Sequence, residues 1–130
     1  MAKKHEIYKC DICGNIIEVL FEGAGELVCC EQPMDLLEEK STDVGNEKHV
    51  PVFERINDNE VLIKVGSEPH PMEEKHHIQM IEVFTPDGIL RKYLDINDKP
   101  EFLVKLNQEV KHAREYCNIH GLWKGENHDN

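Results

Sequence analysis

The sequence predicts a mainly β protein in two parts, a small metal-stapled domain over residues 1–38 and a β-sandwich over residues 39–130. Three observations carry this reading. Four of the five cysteines fall between positions 10 and 30. Beyond residue 48 the chain breaks into short apolar segments separated by turn residues. Between the two regions, Glu39 to Glu47 is polar, contains Gly45 and reads as a linker.

Residues 1–38 are too few to bury a sufficient core and need a staple. Ile16-Ile17-Glu18-Val19-Leu20-Phe21 reads as a short strand. Cys10-Asp11-Ile12-Cys13 presents two sulfurs from one backbone knuckle, and Gly14 suits the tight turn that follows. Cys29-Cys30, separated from Cys13 by fifteen residues, completes a four-sulfur set. Neighbouring side chains of an extended chain point apart, so bringing both to one metal is expected to distort the tetrahedron. Such sites select zinc or iron. The residues alone leave a zinc ribbon, an iron centre and a redox Cys-x-x-Cys pair open.

In the second part, strands are expected at Pro51–Ile56, around Val61, Ile63 and Val65, at His76–Thr85 and at Ile89–Leu94. Asn57-Asp58-Asn59 and Pro86-Asp87-Gly88 are the turn signals between them. Short strands with this punctuation fit a β-sandwich. Pro100 to Cys117 is ambiguous. Phe102, Val104 and Leu106 alternate as in a strand, whereas Phe102, Leu106, Val110, Ala113 and Cys117 fit helical spacing, and the Glu, Lys and Ala content tips the local preference to helix.

Composition excludes several function classes. A formal charge of -11 without a basic block argues against non-specific nucleic-acid binding. No apolar run approaches the ~18 residues of a membrane span. Lys3-Lys4 is not followed by an apolar segment, so no secretory signal is visible and a cytoplasmic location is expected. The odd cysteine count agrees, since it does not build a secreted disulfide framework. Any anionic substrate must be drawn in by a local positive patch against the overall field.

A second constellation lies downstream. His5, His112 and His128 read as surface residues, which leaves His49, His70, His76, His77 and His120. Pro71 biases His70 toward an extended or turn conformation. His76 and His77, if in a strand, face opposite sides, so only one serves a given metal. Cys117 and His120, with a two-residue spacer, are a ligand pair of the kind one turn supplies. Imidazoles with one thiolate accept iron, copper or zinc. A purely structural zinc protein leaves His49, His70 and His76 unexplained, and a rubredoxin-type electron carrier needs only residues 1–38.

Lys9-Cys10-Asp11-Ile12-Cys13-Gly14-Asn15, Leu27-Val28-Cys29-Cys30, Glu47-Lys48-His49-Val50-Pro51, His70-Pro71-Met72-Glu73-Glu74-Lys75-His76 and Glu115-Tyr116-Cys117-Asn118-Ile119-His120-Gly121 follow one another in that order. With these motifs the chain resembles the desulfoferrodoxins, the two-iron superoxide reductases, over nearly its whole length. The resemblance implies a desulforedoxin-like domain in which Cys10, Cys13, Cys29 and Cys30 hold a distorted rubredoxin-like iron. It implies an immunoglobulin-like sandwich in which His49, His70, His76 and His120 surround a second iron with Cys117 as its axial thiolate. That overrides the helical leaning of residues 100–117.

The implied reaction is the one-electron reduction of superoxide to hydrogen peroxide, with electrons from an external donor such as rubredoxin, in a homodimer. A dismutase would also evolve dioxygen. Lys48 is the expected steering cation, which requires a loop rather than a strand beside His49. Glu47 is expected on the open position of the oxidised iron. His77 and Met80 stand where the family leads one to expect aromatic residues, so His77 remains a rival to His76. Asn118 and Ile119 are expected to turn backbone N–H groups toward the Cys117 sulfur.

Overall fold

The computed structural model describes residues 2–41, 49–66, 70–105 and 109–127. It forms two compact units, Met1–Glu38 and Glu39–Asn130, and all regular structure among the described residues is β.

In the first unit, β1 (Ile7–Lys9) is the centre of a three-stranded antiparallel sheet, flanked by β2 (Ile16–Glu18) and β5 (Asp35–Leu37). The strand expected to run to Phe21 stops at Glu18, because Val19 leaves the ladder to exchange backbone bonds with His5 and Glu6. A two-stranded ribbon joins β3 (Val28–Cys29) to β4 (Gln32–Pro33). The buried apolar set here is small, namely Ala2, Ile7, Cys10 and Val19. Ile12, Leu20, Phe21, Val28 and Leu36 are exposed. So thin a core does not sustain a unit of this size without a cross-link or metal.

The second unit is a sandwich of two antiparallel sheets, as the alternation of Val61, Ile63 and Val65 predicts. One sheet has the order β10 (Glu101–Lys105), β7 (Glu60–Val65), β6 (Pro51–Asn57). The other has the order β12 (Gly121–Glu126), β11 (His112–Cys117), β8 (Ile78–Thr85), β9 (Gly88–Tyr93). Val61, Ile63 and Val65 from one sheet meet Ile78, Ile81, Val83, Ala113 and Cys117 from the other. The register slips between Tyr116 and Cys117, so that Cys117 faces Ile78 while Tyr116 faces Met80. This bulge keeps Ile78 and Ile81, three positions apart, on the same inner face.

Residues 101–105 and 112–117 are strands, not helix. Val104 packs from one sheet and Ala113 and Cys117 from the other, so cross-strand pairing overrides the local preference. His76 and His77 precede β8 and lie in a turn where Glu73 and His76 exchange backbone bonds. Lys40, at the start of the expected linker, pairs with the edge of β12: its N–H donates to Leu122 O (3.0 Å) and its carbonyl accepts from Lys124 N–H (2.7 Å).

Candidate metal centres

The sulfurs of Cys10, Cys13, Cys29 and Cys30 all lie within 4.8 Å of one another. The first pair sits on a tight knuckle: Gly14 N–H donates to Cys10 O (2.9 Å), Cys13 N–H points at the Cys10 sulfur (3.5 Å), and Gly14 takes a φ of 83°. The second pair solves the problem of adjacency through its backbone. Cys30 and Glu31 form the two-residue loop between β3 and β4, with φ of 52° and 63°. Both angles are left-handed, as in a type I′ hairpin, where Asn-Gly is the usual choice. The twist turns the Cys30 side chain to the side of Cys29 instead of away from it. Each non-glycine residue held this way costs about 1 kcal/mol or more.

The protonation pattern of these thiols calls for a cation. Cys10 is held down to about 6, chiefly by the backbone N–H of Cys13, whereas Cys30 is pushed up to about 12, chiefly by the neighbouring Cys13 and Cys10 side chains. Four sulfurs this close do not all ionise unless a metal neutralises them. Asn15 Nδ2 also donates to the Cys29 sulfur (3.8 Å).

The second cluster forms at one end of the sandwich. His49 comes just before β6, His70 lies between β7 and β8, His76 sits in the turn before β8, Cys117 ends β11, and His120 lies in the β11–β12 turn. One ligand atom from each of His49, His70, His76 and Cys117 lies within 4.8 Å of the others. His120 is outside that group of four but completes the ring of imidazoles. Successive ring centroids are 4.9 Å (His49–His70), 4.7 Å (His70–His76), 4.9 Å (His76–His120) and 4.6 Å (His120–His49). Across the ring, His49 and His76 are 6.5 Å apart. Four similar sides and a longer diagonal describe a square. His49 and His70 are buried and His120 is exposed, so the square opens toward solvent on the His120 side.

His70 reveals which nitrogen is free for a metal. Its Nδ1–H donates to the Pro71 carbonyl (2.7 Å), which leaves Nε2 bare and 3.6 Å from the Cys117 sulfur. Burial, with the other three imidazoles adding to it, lowers its pKa to about 4, so it is a neutral donor at pH 7. Burial pushes the Cys117 thiol up, and the N–H groups of His120 and Ile119 pull it back, the former at 3.4 Å from sulfur. Ile119 thus acts as expected. Asn118 does not: its N–H donates to His77 O (3.2 Å).

Several contacts here carry no motif in the sequence. Trp123 stacks on His49 (4.8 Å, 18° between planes), and its Nε1–H donates to His120 O (3.1 Å). Lys40 Nζ donates to the same carbonyl (2.9 Å) and lies 5.4 Å from the Trp123 ring centroid. Glu115, fully buried two residues before the thiolate, raises the Cys117 pKa further. His77 is tied outward, with its Nδ1 on the Glu73 carbonyl (3.0 Å). Glu47 and Lys48 lie outside the described residues.

Both donor sets suit iron, the first as four soft sulfurs and the second as neutral imidazoles with one thiolate. The family model described as desulfoferrodoxin matches residues 41–126, and that of the desulfoferrodoxin N-terminal domain matches residues 2–37. The chain belongs to the desulfoferrodoxin family. The desulfoferrodoxin of Syntrophotalea carbinolica is 55% identical over 126 residues, which cover 97% of this chain and 99% of that one. The desulfoferrodoxin of Nitratidesulfovibrio vulgaris is 50% identical, covering 97% and 99%. Among solved structures, the superoxide reductase from Treponema pallidum aligns with a TM-score of 0.79 at 29% identity, covering 96% of this chain and all (100%) of that one. As a desulfoferrodoxin, the chain carries two iron sites, one in each unit, and its two-part β architecture is that of the family.

Proposed function

We propose that this desulfoferrodoxin is a superoxide reductase whose second iron is held by His49, His70, His76, His120 and Cys117, and whose first is held by Cys10, Cys13, Cys29 and Cys30. The observation that carries this is the square of four imidazoles with a buried thiolate against it. Iron held by these five donors would keep room for a small anion. Iron bound there supplies the single electron that superoxide accepts, and two protons from water complete hydrogen peroxide. The chain's own part is to hold neutral imidazoles in place, to aim two backbone N–H groups at the sulfur, and to leave the His120 side open to substrate and water. The thiolate raises the electron density on the metal.

The expected assay result is peroxide formed from superoxide without dioxygen, at the expense of a reduced donor such as rubredoxin. Dioxygen released in step with peroxide would make the protein a dismutase. Activity with no dependence on an added donor would remove rubredoxin from the scheme. The same preparation is expected to sediment as a homodimer, given the exposed Ile12, Leu20, Phe21, Val28 and Leu36 on the small unit; a monomer mass would exclude it. Fractionation is expected to place it in the cytoplasm, where the five cysteines, none of them in a disulfide, stay reduced.

Lys48 is the proposed steering residue and Glu47 the carboxylate that covers the open position of oxidised iron. A local cation opposes the formal charge of -11. Lys48→Ala is expected to lower the second-order rate with superoxide about ten-fold at low salt and to flatten its salt dependence. Glu47→Ala is expected to change the ferric absorption spectrum and its pH dependence while leaving that rate near wild type. An unchanged rate in the first variant, or an unchanged spectrum in the second, removes the role.

A further inference from the structure

Of two adjacent histidines, His76 stands at a corner of the square and His77 is tied outward, and the backbone around them is gripped by a single side chain. Asn118 Nδ2 donates to Lys75 O (3.0 Å), while Asn118 Oδ1 accepts from His77 N–H (2.8 Å). These two peptide groups lie on either side of His76. The backbone N–H of Asn118 adds a third bond, to His77 O (3.2 Å). The turn is closed from within as well: Glu73 and His76 exchange backbone bonds of 2.9 and 3.1 Å, and the His77 ring is tied to the Glu73 carbonyl (3.0 Å).

We infer that Asn118 is the positioning residue that selects His76 rather than His77 as ligand, by bracketing the His76 peptide between its amide nitrogen and oxygen. The inference rests on the reading of His76 as an iron ligand. Its physical basis is the geometry of consecutive residues. Neighbouring side chains diverge, so a rotation of this short turn that swings His76 out of the square swings His77 in. A fixed backbone is therefore what decides between two chemically identical rings. Asn118 is well placed to do this because it follows the thiolate directly. The Cys117 thiolate and the His76 turn are then tied to one short piece of chain, and a shift of one is carried to the other. Partners of this type, acting through a ligand, typically change metal affinity by 10–100-fold when removed.

The test measures release of iron to a chelator from the full-length, fully loaded protein, with the absorption of the four-cysteine iron as an internal control. Asn118→Ala is expected to release the second iron about ten-fold faster while the first is unaffected. Asn118→Asp, which keeps the acceptor for His77 N–H and loses the donor to Lys75 O, is expected to fall between alanine and wild type. Adding His77→Ala to Asn118→Ala is expected to speed release again, because the rival ring then carries part of the ligation; His77→Ala alone is expected to change nothing. The His76→Ala variant separates the two levels. If it leaves release unchanged, the ligand reading itself fails. If it accelerates release while Asn118→Ala does not, or if His77→Ala is silent in both backgrounds, the selecting role of Asn118 is overturned.

Discussion

Replacing Cys117 with serine is expected to strip the second iron and leave the first, so that iron content falls from two per chain to one and superoxide reduction drops at least about a hundred-fold. The sulfur is fully buried, faces bare His70 Nε2 at 3.6 Å, and takes the N–H of His120 at 3.4 Å. A serine hydroxyl keeps its proton at neutral pH, so the one anionic donor among five is lost. Its oxygen also sits closer to the backbone than sulfur does, and therefore further from the ring of imidazoles. The N–H groups that meet the sulfur are left with a weaker and less favourably placed acceptor. Cys117 is not one of the four cysteines clustered in the small unit, so the absorption of that four-cysteine iron is expected to persist unchanged. A serine variant that retains both irons and normal turnover would show that the thiolate is not what defines the centre.

The parts of this molecule that were legible in sequence are those set by pattern. Val61, Ile63 and Val65 alternate because one face of β7 is core, and Cys10-x-x-Cys13-Gly14 declares a knuckle because only that turn brings two sulfurs together so early. The parts that were not legible depend on where separate turns come to rest. Cys29-Cys30 looked like a conflict with extended geometry; the left-handed backbone at Cys30 and Glu31 removes it, and neither residue type announces such a conformation. The choice between His76 and His77 was open because it is made by Asn118, forty-one residues after His77. Trp123 and Lys40, which share the His120 carbonyl, gave no signal at all, since stacking on His49 and pairing with β12 are consequences of the sandwich being closed. The helical spacing of Phe102, Ala113 and Cys117 is genuine, but Phe102 belongs to β10 and Ala113 and Cys117 to β11, strands of different sheets.

Closure of that sandwich rests on a contact with no slack, and Gly125→Ala is expected to lower the stability of the second unit by about 2 kcal/mol or more. A Cβ at position 125 would lie 2.1 Å from the Pro51 carbonyl oxygen and 3.0 Å from its carbon. Both are backbone atoms, so no rotamer change relieves the overlap. Gly125 pairs with Ala113 inside β12–β11, and Pro51 opens β6 opposite Val65, so one edge or the other has to move. Scanning calorimetry is expected to show the melting of this unit fall by roughly 10 °C. The damage is not confined to packing. Pro51 is two residues from His49, and Gly66 N–H holds the intervening Val50 carbonyl at 2.9 Å, so a displaced Pro51 pulls on a corner of the imidazole square. Faster release of the second iron is therefore expected alongside the lower melting temperature. Gly23→Ala, in the small unit, is the control: a Cβ there meets nothing within 4 Å, and its effect is expected to be within about 1 kcal/mol of zero. Equal melting temperatures for the Gly125→Ala variant and wild type would mean that β6 and β12 part more easily than their contact implies, and that His49 is held by Trp123 and its own neighbours rather than by the closure of the sheets.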